Sequence, residues 1–515
     1  MKHFDLEFEN SLKMAEKRAY LSDIIPSSEM QLWNNKNLVV IQAPTGCGKS
    51  TLIQTTLYDL AKTQNKKILI LVNREKLKKE FETDIINNKK EDVIDVMTYQ
   101  TLEAYTKNHG TQYDLSEYDY VISDESHYFH NDSLFNKYTQ ESFDNIISSN
   151  SVKVFMSATN KSLINYLDYY EYDYKLYSLD TDYSYANITF FNKKLYIYDL
   201  LRSLKEEGEK AIIFMQDIML AYEIYDMFKD DSLFLCSKSN KQYYRYVNED
   251  KINNMLENKK FDCLFLITTT VFENGNNIKD ENLHHMIIQL SDLDSIQQCI
   301  GRKRIECSDD YLNIAICNLN NQALGGLLTK NKEVVRGAEL LIRLGERAYV
   351  SRYSKDYDPC VYDIYNDAEK RVEKRINSFR YFKCKNNIKM YSKWLADEDK
   401  MGFKKDVIKL FGKEWEGGIY CFNEDEVKGK QTLNEYMESI KDKDLLKDEQ
   451  KDLIKKIGLK DSRNGRLIKS VNFLNSYLSE EGYKYRIESK RKKKDGKKIT
   501  IWIVKEIIKG DRNCM

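Results

Sequence analysis

The chain has 515 residues, 42% of them hydrophobic, and its 81 basic and 81 acidic side chains give a formal net charge of zero. At roughly 100–200 residues per domain, this length predicts three or four domains, each apolar enough to build a core. No apolar run reaches the roughly 18 residues of a membrane span, and the N-terminus lacks the apolar stretch of a signal peptide, so we expect a cytoplasmic protein with no membrane partner. The charge balance still allows a nucleic-acid partner, because a local basic track suffices. The ten cysteines include no C-x-x-C pair, and we expect neither a zinc site nor a disulfide framework.

Short apolar runs alternate with helical stretches from Leu38 to about Thr159, and the pattern recurs after about residue 190. Continuous apolar strands separated by helices are typical of parallel sheets covered on both faces. The chain is therefore predicted to be an α/β protein with two tandem parallel-sheet domains, over residues 1–180 and 181–322. The predicted strands are Leu38–Ile41, Ile68–Val72, Tyr120–Ile122, Val154–Met156, Ala211–Phe214, Cys263–Ile267, Met286–Leu290 and Leu312–Ile316.

A phosphate-binding motif, Ala43-Pro44-Thr45-Gly46-Cys47-Gly48-Lys49-Ser50, follows the first strand and precedes a helical stretch, which is the context that a P-loop requires. Its glycines let backbone amides approach the phosphates of ATP, where the helix N-terminus attracts negative charge. Lys49 is expected to pair with the β and γ phosphates, and Ser50 to place its hydroxyl on Mg²⁺. The whole motif and the next residue, Thr51, are the predicted nucleotide-binding residues, although Ala43 replaces the usual first glycine.

A pair of acidic residues follows the strand at Tyr120–Ile122, in the run Asp124-Glu125-Ser126-His127. Carboxylates at the carboxyl end of a parallel strand lie at the same sheet edge as the P-loop. We expect Asp124 to hold Mg²⁺, and Glu125 to orient and deprotonate the attacking water. His127 is predicted to couple the ATP site to the second domain, although an isolated histidine is more often structural.

These two motifs resemble the first two signatures of the superfamily 2 helicases of the D-E-x-H branch, and the acidic run also resembles helicases of phage and mobile elements. The resemblance covers about residues 30–320 and implies two RecA-like domains that close on ATP and Mg²⁺. Later segments resemble the family's other motifs in the family's order. They are Val72-Asn73-Arg74, Thr98-Tyr99-Gln100, Ser157-Ala158-Thr159, Thr268–Asn277 and Gln298–Arg304.

The resemblance implies roles for single residues within these segments. Ser157 and Thr159 would link hydrolysis to domain movement, Gly275 would belong to the nucleotide site, and Gln298 to the catalytic site. For Tyr99, the alternative is a packed aromatic side chain. Contacts with the nucleic-acid backbone are implied for Asn73, Arg74, Thr98, Tyr99 and Thr269.

The family's last motif carries an arginine finger, which stabilises the transferring phosphate from the second domain and makes hydrolysis depend on cleft closure. Arg302 and Arg304 are the implied catalytic arginines in this chain. The sequence departs from the family pattern twice, because Thr270 stands where the family has Asp and Ile305 where it has its second arginine. Arg304 comes one residue early, so Arg302 fits the pattern better.

Beyond about residue 322, the sequence predicts a mostly helical accessory region (323–425) and a C-terminal domain (426–515). The C-terminal domain is predicted to end in a hairpin, Tyr483–Ser489 and Ile499–Val504, joined by the turn dipeptide Asp495-Gly496. Helices and a hairpin are the parts of a winged helix, so we expect a winged-helix-like nucleic-acid-binding domain. The predicted helices of the two regions are 333–349, 365–383, 386–397 and 402–411, and then 432–441, 446–457 and 464–480.

The predicted hairpin tip, Lys490–Lys498, carries seven cations in nine residues. Lys492, Lys493 and Lys494 are therefore expected to bind nucleic-acid phosphates, with an affinity that falls steeply with salt. The alternative is a solvated loop that only keeps the protein soluble. One buried face of the hairpin is expected to consist of Tyr483, Tyr485, Ile487, Ile499, Ile501 and Ile503.

Three functions fit these motifs. The first is an ATP-dependent helicase or translocase that acts on single-stranded or forked DNA, which the resemblance favours over RNA. The second is an ATP-gated clamp or sensor that binds nucleic acid and recruits a protein partner through the C-terminal region. The third is the motor subunit of a restriction or defence complex. Because all three need the same ATP, Mg²⁺ and nucleic-acid sites, the sequence leaves the choice open.

Overall fold

The computed structural model describes residues 20–44, 46–192, 195–273, 277–305, 310–353, 358–414, 433, 436–460, 467–494 and 497–507. The chain forms two compact units, Met1–Tyr420 and Cys421–Met515. The first unit holds two parallel sheets and the accessory region, and the second holds the C-terminal helices and hairpin. Among the described residues, no helix has both the length and the apolarity to cross a membrane.

The first sheet consists of six parallel strands, β1 (Leu38–Gln42), β2 (Ile68–Val72), β3 (Ile94–Thr98), β4 (Tyr120–Asp124), β5 (Val152–Ser157) and β6 (Tyr174–Ser178). Their order across the sheet is β3-β2-β4-β5-β1-β6. Central strands such as β2 bury every side chain, because helices cover both faces of the sheet. The end of β5 lies between the ends of β1 and β4, so it separates the P-loop from the acidic pair.

The helices of the first domain flank this sheet. The P-loop helix runs from α3 through a π-helical segment, Ile53–Leu57, into α4, and α7 continues into a 3-10 turn, Asp132–Leu134. The helices are α1 (Leu21–Ile24), α2 (Ser27–Met30), α3 (Lys49–Leu52), α4 (Tyr58–Thr63), α5 (Glu75–Asn87), α6 (Tyr99–His109), α7 (Tyr128–Asn131), α8 (Thr139–Ser148) and α9 (Lys161–Tyr169).

The second sheet also consists of six parallel strands, β7 (Ala186–Phe191), β8 (Lys210–Met215), β9 (Ser232–Leu235), β10 (Phe265–Thr268), β11 (Leu283–Gln289) and β12 (Leu312–Cys317). Their order is β7-β12-β11-β8-β10-β9. Its helices are α10 (Leu195–Glu207), α11 (Ile218–Met227), α12 (Lys241–Tyr244), α13 (Glu249–Asn258) and α14 (Leu293–Ile300). Two tandem parallel sheets confirm the predicted fold class.

The accessory region starts with a long helix, α15 (Asn321–Tyr353), which breaks at Gly345, where φ is 77° and ψ is 177°. An antiparallel hairpin follows, made of β13 (Val361–Asn366) and β14 (Arg371–Ile376). Two further helices, α16 (Ser378–Ala396) and α17 (Gly402–Leu410), complete the region.

The accessory hairpin corrects the prediction of a helix over 365–383. The run from Ala368 to Arg375 favours a helix by composition, but tertiary contacts decide its conformation. Arg375 Nη1 lies 3.2 Å from the buried carboxylate of Glu141, and the Tyr362 hydroxyl donates to the same carboxylate. Lys137 donates to the carbonyl of Val361 at 3.2 Å. These contacts attach the hairpin to the first domain.

The helix α16 belongs to the hydrophobic cores of both sheet domains. Phe379, in its first turn, lies in the first core and stacks on Tyr166 with ring centroids 4.0 Å apart. Trp394, near its end, lies in the second core together with Ile296 and with Phe403 of α17. The accessory region is therefore part of the packing of both domains.

The C-terminal unit packs two helices, α18 (Lys447–Ile457) and α19 (Val471–Glu480), against a hairpin of β15 (Tyr485–Lys494) and β16 (Lys497–Glu506). Residues 436–440 are also helical. The predicted turn, Asp495-Gly496, and part of the predicted 464–480 helix lie outside the described residues.

The pairing of the hairpin strands corrects the predicted buried face. Tyr485 pairs with Glu506 and Ile487 pairs with Val504, so odd-numbered residues of β15 share a face with even-numbered residues of β16. This parity follows from the register, which places Lys494 opposite Lys497. The β16 side chains that share the core cluster with Tyr485 and Ile487 are therefore Trp502 and Val504. Ile501 and Ile503 are buried as well, but they alternate with those two and do not share their face. The side chain of Ile499 lies outside the described residues.

Candidate ATP site and nucleic-acid interface

The P-loop takes its shape from two glycines and from the neighbouring strand end. Gly46 and Gly48 have φ values of 90° and 81°, in the left-handed region that glycine adopts at little cost. Gly48 is also the N-cap residue of α3, so the backbone amides at the start of that helix face the loop. Ala43 donates its amide to the carbonyl of Ser157 at 3.1 Å, which fixes the start of the loop to β5. Thr45 lies outside the described residues.

Lys49 lies inside the loop, where its ammonium donates to the carbonyls of Ala43 at 2.8 Å and Pro44 at 3.1 Å. Burial lowers the pKa of Lys49, while the charges of Glu125 and Asp124 act in the opposite direction. The ammonium is therefore within electrostatic range of both predicted catalytic carboxylates.

The remaining predicted residues of the loop lie around Lys49. Ser50 and Thr51 form the exposed first turn of α3. Cys47 is half-buried, and its carbonyl accepts a hydrogen bond from the amide of Leu21 at 3.1 Å. The neighbouring Tyr20 lies near Gly48, since its ring is 3.7 Å from the point that a Cβ on Gly48 would occupy. No sequence motif indicated this contact from the N-terminal segment.

Asp124 is the last residue of β4, and the backbone turns at Glu125, which follows it. Glu125 has a φ of 50°, a left-handed conformation that costs a non-glycine residue about 1–2 kcal/mol. Hydrogen bonds hold the next residue, since the Ser126 amide donates to the carbonyl of Met156 at 2.9 Å and the Ser126 hydroxyl donates to Asn160 Oδ1 at 2.7 Å. Such fixed strain is common where a side chain must be aimed at a ligand.

The two carboxyl groups respond differently to this site. Burial, together with the charge of Glu125, raises the pKa of Asp124. Burial opposes ionisation of Glu125 as well, but the hydrogen bond with His127 and the charges of His127 and Lys49 outweigh it and lower the pKa of Glu125. Glu125 is therefore held as the carboxylate that a general base requires.

The side chains fit Mg²⁺, because a hydroxyl at Ser50 and a carboxylate at Asp124 are oxygen ligands of the kind that this ion prefers. The buried carboxyl group of Asp124 and the partly buried one of Glu125 also repel one another, which a divalent cation would relieve. Within the described ranges, no group of three His, Cys, Asp or Glu side chains could hold a metal ion. A magnesium ion here would therefore complete its coordination with phosphate oxygens and water.

Polar contacts run from Glu125 to the second domain. The ring Nδ1 of His127 lies 3.2 Å from Glu125 Oε2 and 2.8 Å from the hydroxyl of Ser157. The same hydroxyl accepts the backbone amide of Thr159 at 3.1 Å. Gln298 of α14 then donates to the hydroxyl of Thr159 at 3.1 Å. The structure thus brings together the three predicted coupling residues and Gln298.

The two candidate fingers follow α14 and face the ATP site. Arg302 is buried, donates from Nε to the carbonyl of Gln298 at 3.3 Å, and contributes to lowering the pKa of Glu125. The charge of Arg304 contributes to lowering the pKa of Lys49. Both guanidinium groups are therefore within electrostatic range of the first domain's catalytic residues.

A short pairing explains the irregular spacing of the second arginine. The Ile278 amide donates to the carbonyl of Arg302 at 2.7 Å, and the Arg304 amide donates to the carbonyl of Ile278 at 2.9 Å. In an extended segment, alternate side chains point in opposite directions. Lys303 accordingly points away and donates to Asp310 at 2.9 Å, which leaves Arg302 and Arg304 on the cleft side. Gly275 lies outside the described residues.

Contacts across the cleft include residues that sequence reasoning missed. Asn131 donates from Nδ2 to Gln298 Oε1 at 3.3 Å, and the hydroxyl of Ser162 donates to Asp294. Asn131 follows His127 by four residues, and this i,i+4 spacing on a helix places them on one face. That spacing is the signal that could have identified Asn131, whereas Ser162 and Asp294 carry no motif.

Three of the predicted nucleic-acid contacts of the first domain have buried side chains. The side chains of Asn73 and Thr98 are buried, and Tyr99 is fully buried, with its hydroxyl donating to the carbonyl of Asp124 at 2.8 Å. Tyr99 stacks on Tyr128 with ring centroids 4.5 Å apart, so its aromatic character serves the core.

Arg74 and Thr269 retain access to solvent. The Arg74 side chain is 42% exposed, and its guanidinium lies 3.3 Å from the buried carboxylate of Asp132, which orients it. Thr269 is half-buried after β10. In the second unit, Lys492 pairs with Asp444, while the side chains of Lys493 and Lys494 lie outside the described residues.

Comparison with known proteins agrees with this site. Residues 8–162 match the family model described as the type III restriction enzyme, res subunit. That span contains both the P-loop and the acidic pair. No curated protein matches the sequence.

Solved structures of helicases resemble the fold at low identity. S. cerevisiae Dbp5, bound to RNA and ADP–BeF3, has a TM-score of 0.44 and 14% identity over 61% of this chain and 87% of its own. The helicase MrfA, bound to DNA, has a TM-score of 0.39 and 15% identity over 62% of this chain and 50% of its own. A DEAD box protein from Methanococcus jannaschii has a TM-score of 0.32 and 20% identity over 57% and 85%. Likenesses at this level assign no substrate to this chain.

The fold, the motifs and the family match define the class of protein. The P-loop and the Asp-Glu pair lie on one parallel sheet, and Gln298 and two arginines face them from a second. The protein is an ATP-hydrolysing enzyme, and its residues 8–162 match the res-subunit model.

Proposed function

We propose that this protein is a D-E-x-H helicase or translocase that moves along single-stranded or forked DNA as the cleft between its two sheet domains closes and opens. The observation that carries the proposal is the line of contacts from Glu125 through His127, Ser157 and Thr159 to Gln298. It joins the residue that activates water to the helix that holds the arginines. Hydrolysis and domain position are therefore linked through a few hydrogen bonds.

The chemistry on the first domain begins with Lys49, which exchanges the carbonyls of Ala43 and Pro44 for the β and γ phosphates when ATP binds. Ser50 and Asp124 would hold Mg²⁺, which would supply neutralisation of the phosphate charge. Glu125 accepts a proton from the attacking water, and its lowered pKa keeps it ionised at neutral pH.

The chemistry of the second domain depends on closure. Arg302 and Arg304 would stabilise the charge that develops on the transferring phosphate, which they reach only when the cleft is closed. Gln298 positions both by holding the end of α14 against Thr159. Release of phosphate removes the charge that these arginines bind, so the cleft can reopen and the strand contacts can move.

The nucleic-acid track would use cations that lie outside the ATP site. Arg74, oriented by Asp132, and Thr269 are the supported phosphate contacts on the two sheet domains. The hairpin of the second unit resembles the wing of a winged helix, and its basic tip suits duplex phosphates. Contacts of this kind favour movement over sequence readout. The winged-helix-like tail is the support for DNA over RNA.

An unwinding assay tests the proposal. Forked DNA and forked RNA, each with a 3′ or a 5′ single-stranded arm, would be incubated with the protein and ATP. We expect strand separation on one DNA polarity, with the Glu125→Gln variant as the inactive control. ATP hydrolysis that DNA stimulates without any strand separation would favour the clamp or sensor instead.

A second function is favoured by the family match. A motor subunit of a restriction or defence complex would translocate on duplex DNA without separating its strands, and residues 8–162 match the res-subunit model. Displacement of a third strand from a triplex by the protein and ATP, with no unwinding of forks, would identify that activity.

A further inference from the structure

A buried lysine of the accessory region contacts both sheet domains at the cleft between them. Lys383 lies on α16, and its side chain is 7% exposed. Its ammonium donates to Asn131 Oδ1 of the first domain at 3.2 Å and lies 3.3 Å from Asp292 Oδ1 of the second domain. No motif of the superfamily 2 resemblance includes this residue.

Both partners of Lys383 belong to the groups that hold α14 in place. The other oxygen of Asp292 accepts the backbone amide of Ser295 at 3.0 Å and so caps α14 at its N-terminus. Asn131 donates to Gln298 on the same helix. A closed ring of contacts thus runs from Lys383 to Asn131, to Gln298, along α14 to Asp292, and back to Lys383.

The pKa values of the neighbouring groups reflect the positive charge of the Lys383 ammonium. Burial opposes ionisation of Asp292, but the charge of Lys383 and the amide of Ser295 outweigh it and lower the pKa of Asp292. Burial lowers the pKa of His130, and the charge of Lys383 adds to that shift. The neighbouring Asp294 has a raised pKa, caused by burial and by the charge of Asp292.

The helix that carries Lys383, α16, is held at both ends. The N-terminus of α16 is attached to the first domain, because Asn377 donates to Thr139 at 2.8 Å and Ser378 donates from its amide to Gln140 at 3.1 Å. Its far end is packed in the second core through Trp394. Opening of the cleft must therefore bend α16, displace one of its ends, or break the contacts of Lys383.

We propose that Lys383 is a positioning residue that couples cleft closure to ATP turnover, by holding Asn131 of the first domain and Asp292 of the second on the same ammonium. This inference rests on the proposed function, because it concerns the same cleft and the same hydrolysis step. Lys383 does not touch ATP or the reacting atoms. It acts through α14, whose end holds Gln298 and precedes the two arginines.

Steady-state ATP hydrolysis is the first test, with Lys383→Met compared with the wild type. Single-stranded DNA at saturation should stimulate the wild type, and the variant should lose at least about fivefold of the stimulated kcat, the lower range of coupling between sites. The KM for ATP should stay within about twofold, because the P-loop is intact. Lys383→Arg, which keeps the positive charge, should restore part of the stimulated kcat. If Lys383→Met only damaged the packing, restoring the charge would not restore kcat.

A matched control is Lys385→Met on the same helix. Lys385 is exposed and pairs with Glu339 of α15 at 2.8 Å, away from the cleft. Its removal should leave both kinetic constants unchanged. Equal stimulated kcat values for Lys383→Met and Lys385→Met would overturn the proposal.

Amide hydrogen exchange provides a test that needs no activity. Two amides report on the cleft, that of Ser295, which donates to Asp292, and that of Thr159, which donates to Ser157. In Lys383→Met, both should exchange at least about fivefold faster than in the reference variant Lys385→Met. Unchanged exchange at both amides would refute the role of Lys383 even if the wild type proved inactive. Absence of DNA-stimulated turnover in the wild type, with faster exchange in the variant, would instead reject the proposed function.

Discussion

The two walls of the cleft are built differently. On the first domain, Lys49 begins the helix that follows β1, and Asp124 and Glu125 lie at the end of β4. Hydrogen bonds within that domain hold them. On the second, Gln298, Arg302 and Arg304 lie at the end of one helix and in a short extended segment that Ile278 pairs. The first wall is prepared for the chemistry in any position of the domains. The second wall contributes only when it is held against the first, which is how a chemical step can be made to depend on movement.

The first wall should carry the largest effects. Replacing Glu125 with Gln removes the base, and we expect kcat for ATP hydrolysis to fall by about 10²–10⁴-fold. Nucleotide binding should persist, because Lys49 and the loop are unchanged. Lys49→Ala should lose both ATP hydrolysis and nucleotide binding. Steady-state hydrolysis and equilibrium binding of a fluorescent ATP analogue would measure this, and substantial turnover in both variants would contradict the assignment of the site.

The arginines of the second wall should come next. Arg302→Ala and Arg304→Ala should each lower kcat by about 10²–10³-fold, because each removes charge stabilisation from the transferring phosphate. Lys303→Ala is the matched control, since Lys303 points away and pairs with Asp310. That control should lower the melting temperature while keeping the kcat of the folded fraction. A normal rate in one arginine variant would leave the other as the finger.

The hydrogen bond between the walls should have a smaller effect. Gln298→Ala or Thr159→Val breaks one contact, and we expect about a tenfold loss of DNA-stimulated kcat, equivalent to about 1.4 kcal/mol. If the two residues act through each other, the double variant should lose no more than either single one. Additive losses in this double-mutant cycle would show that they act separately.

The smallest effects are expected at the hairpin of the second unit. Lys492→Gln alone should change DNA affinity little, because its ammonium already pairs with Asp444. Replacing Lys493 and Lys494 as well should reduce the slope of log affinity against log salt by up to about 0.9 for each phosphate that the hairpin no longer neutralises. Duplex binding titrated from low to high salt would measure this, and an unchanged slope would leave the basic tip as a solubilising loop.

The strands show how much of the fold the sequence predicts. The eight strands predicted for the two parallel sheets are their interior strands, and the four strands of these sheets that were missed, β3, β6, β7 and β9, are the edges. Interior strands are buried on both faces and form continuous apolar runs. An edge strand faces less protein, so polar residues interrupt its run, as in β3, where buried and half-buried residues alternate.

The site shows a similar division. Motif order identified the P-loop, the acidic pair and α14, because local residues carry that chemistry. The helix predicted across the accessory hairpin was wrong, and for Tyr99 the sequence left a core position and a nucleic-acid contact both open. Distant partners, Glu141 for the hairpin and Tyr128 for the ring, determine where they lie. Lys383 and Ser162 carry no local signal at all, because their roles come from residues more than 80 positions away along the chain.

The sharing of α16 between two cores has a consequence for protein engineering. A fragment ending near residue 320 would retain every sequence motif of the motor, yet it would remove Phe379 from the first core and Trp394 from the second. Each loss exposes an apolar cavity of the kind that costs about 3–5 kcal/mol when a large aromatic side chain is deleted. The two sheets cannot be transplanted as an independent cassette, because their last structural member is encoded beyond the motifs that define them.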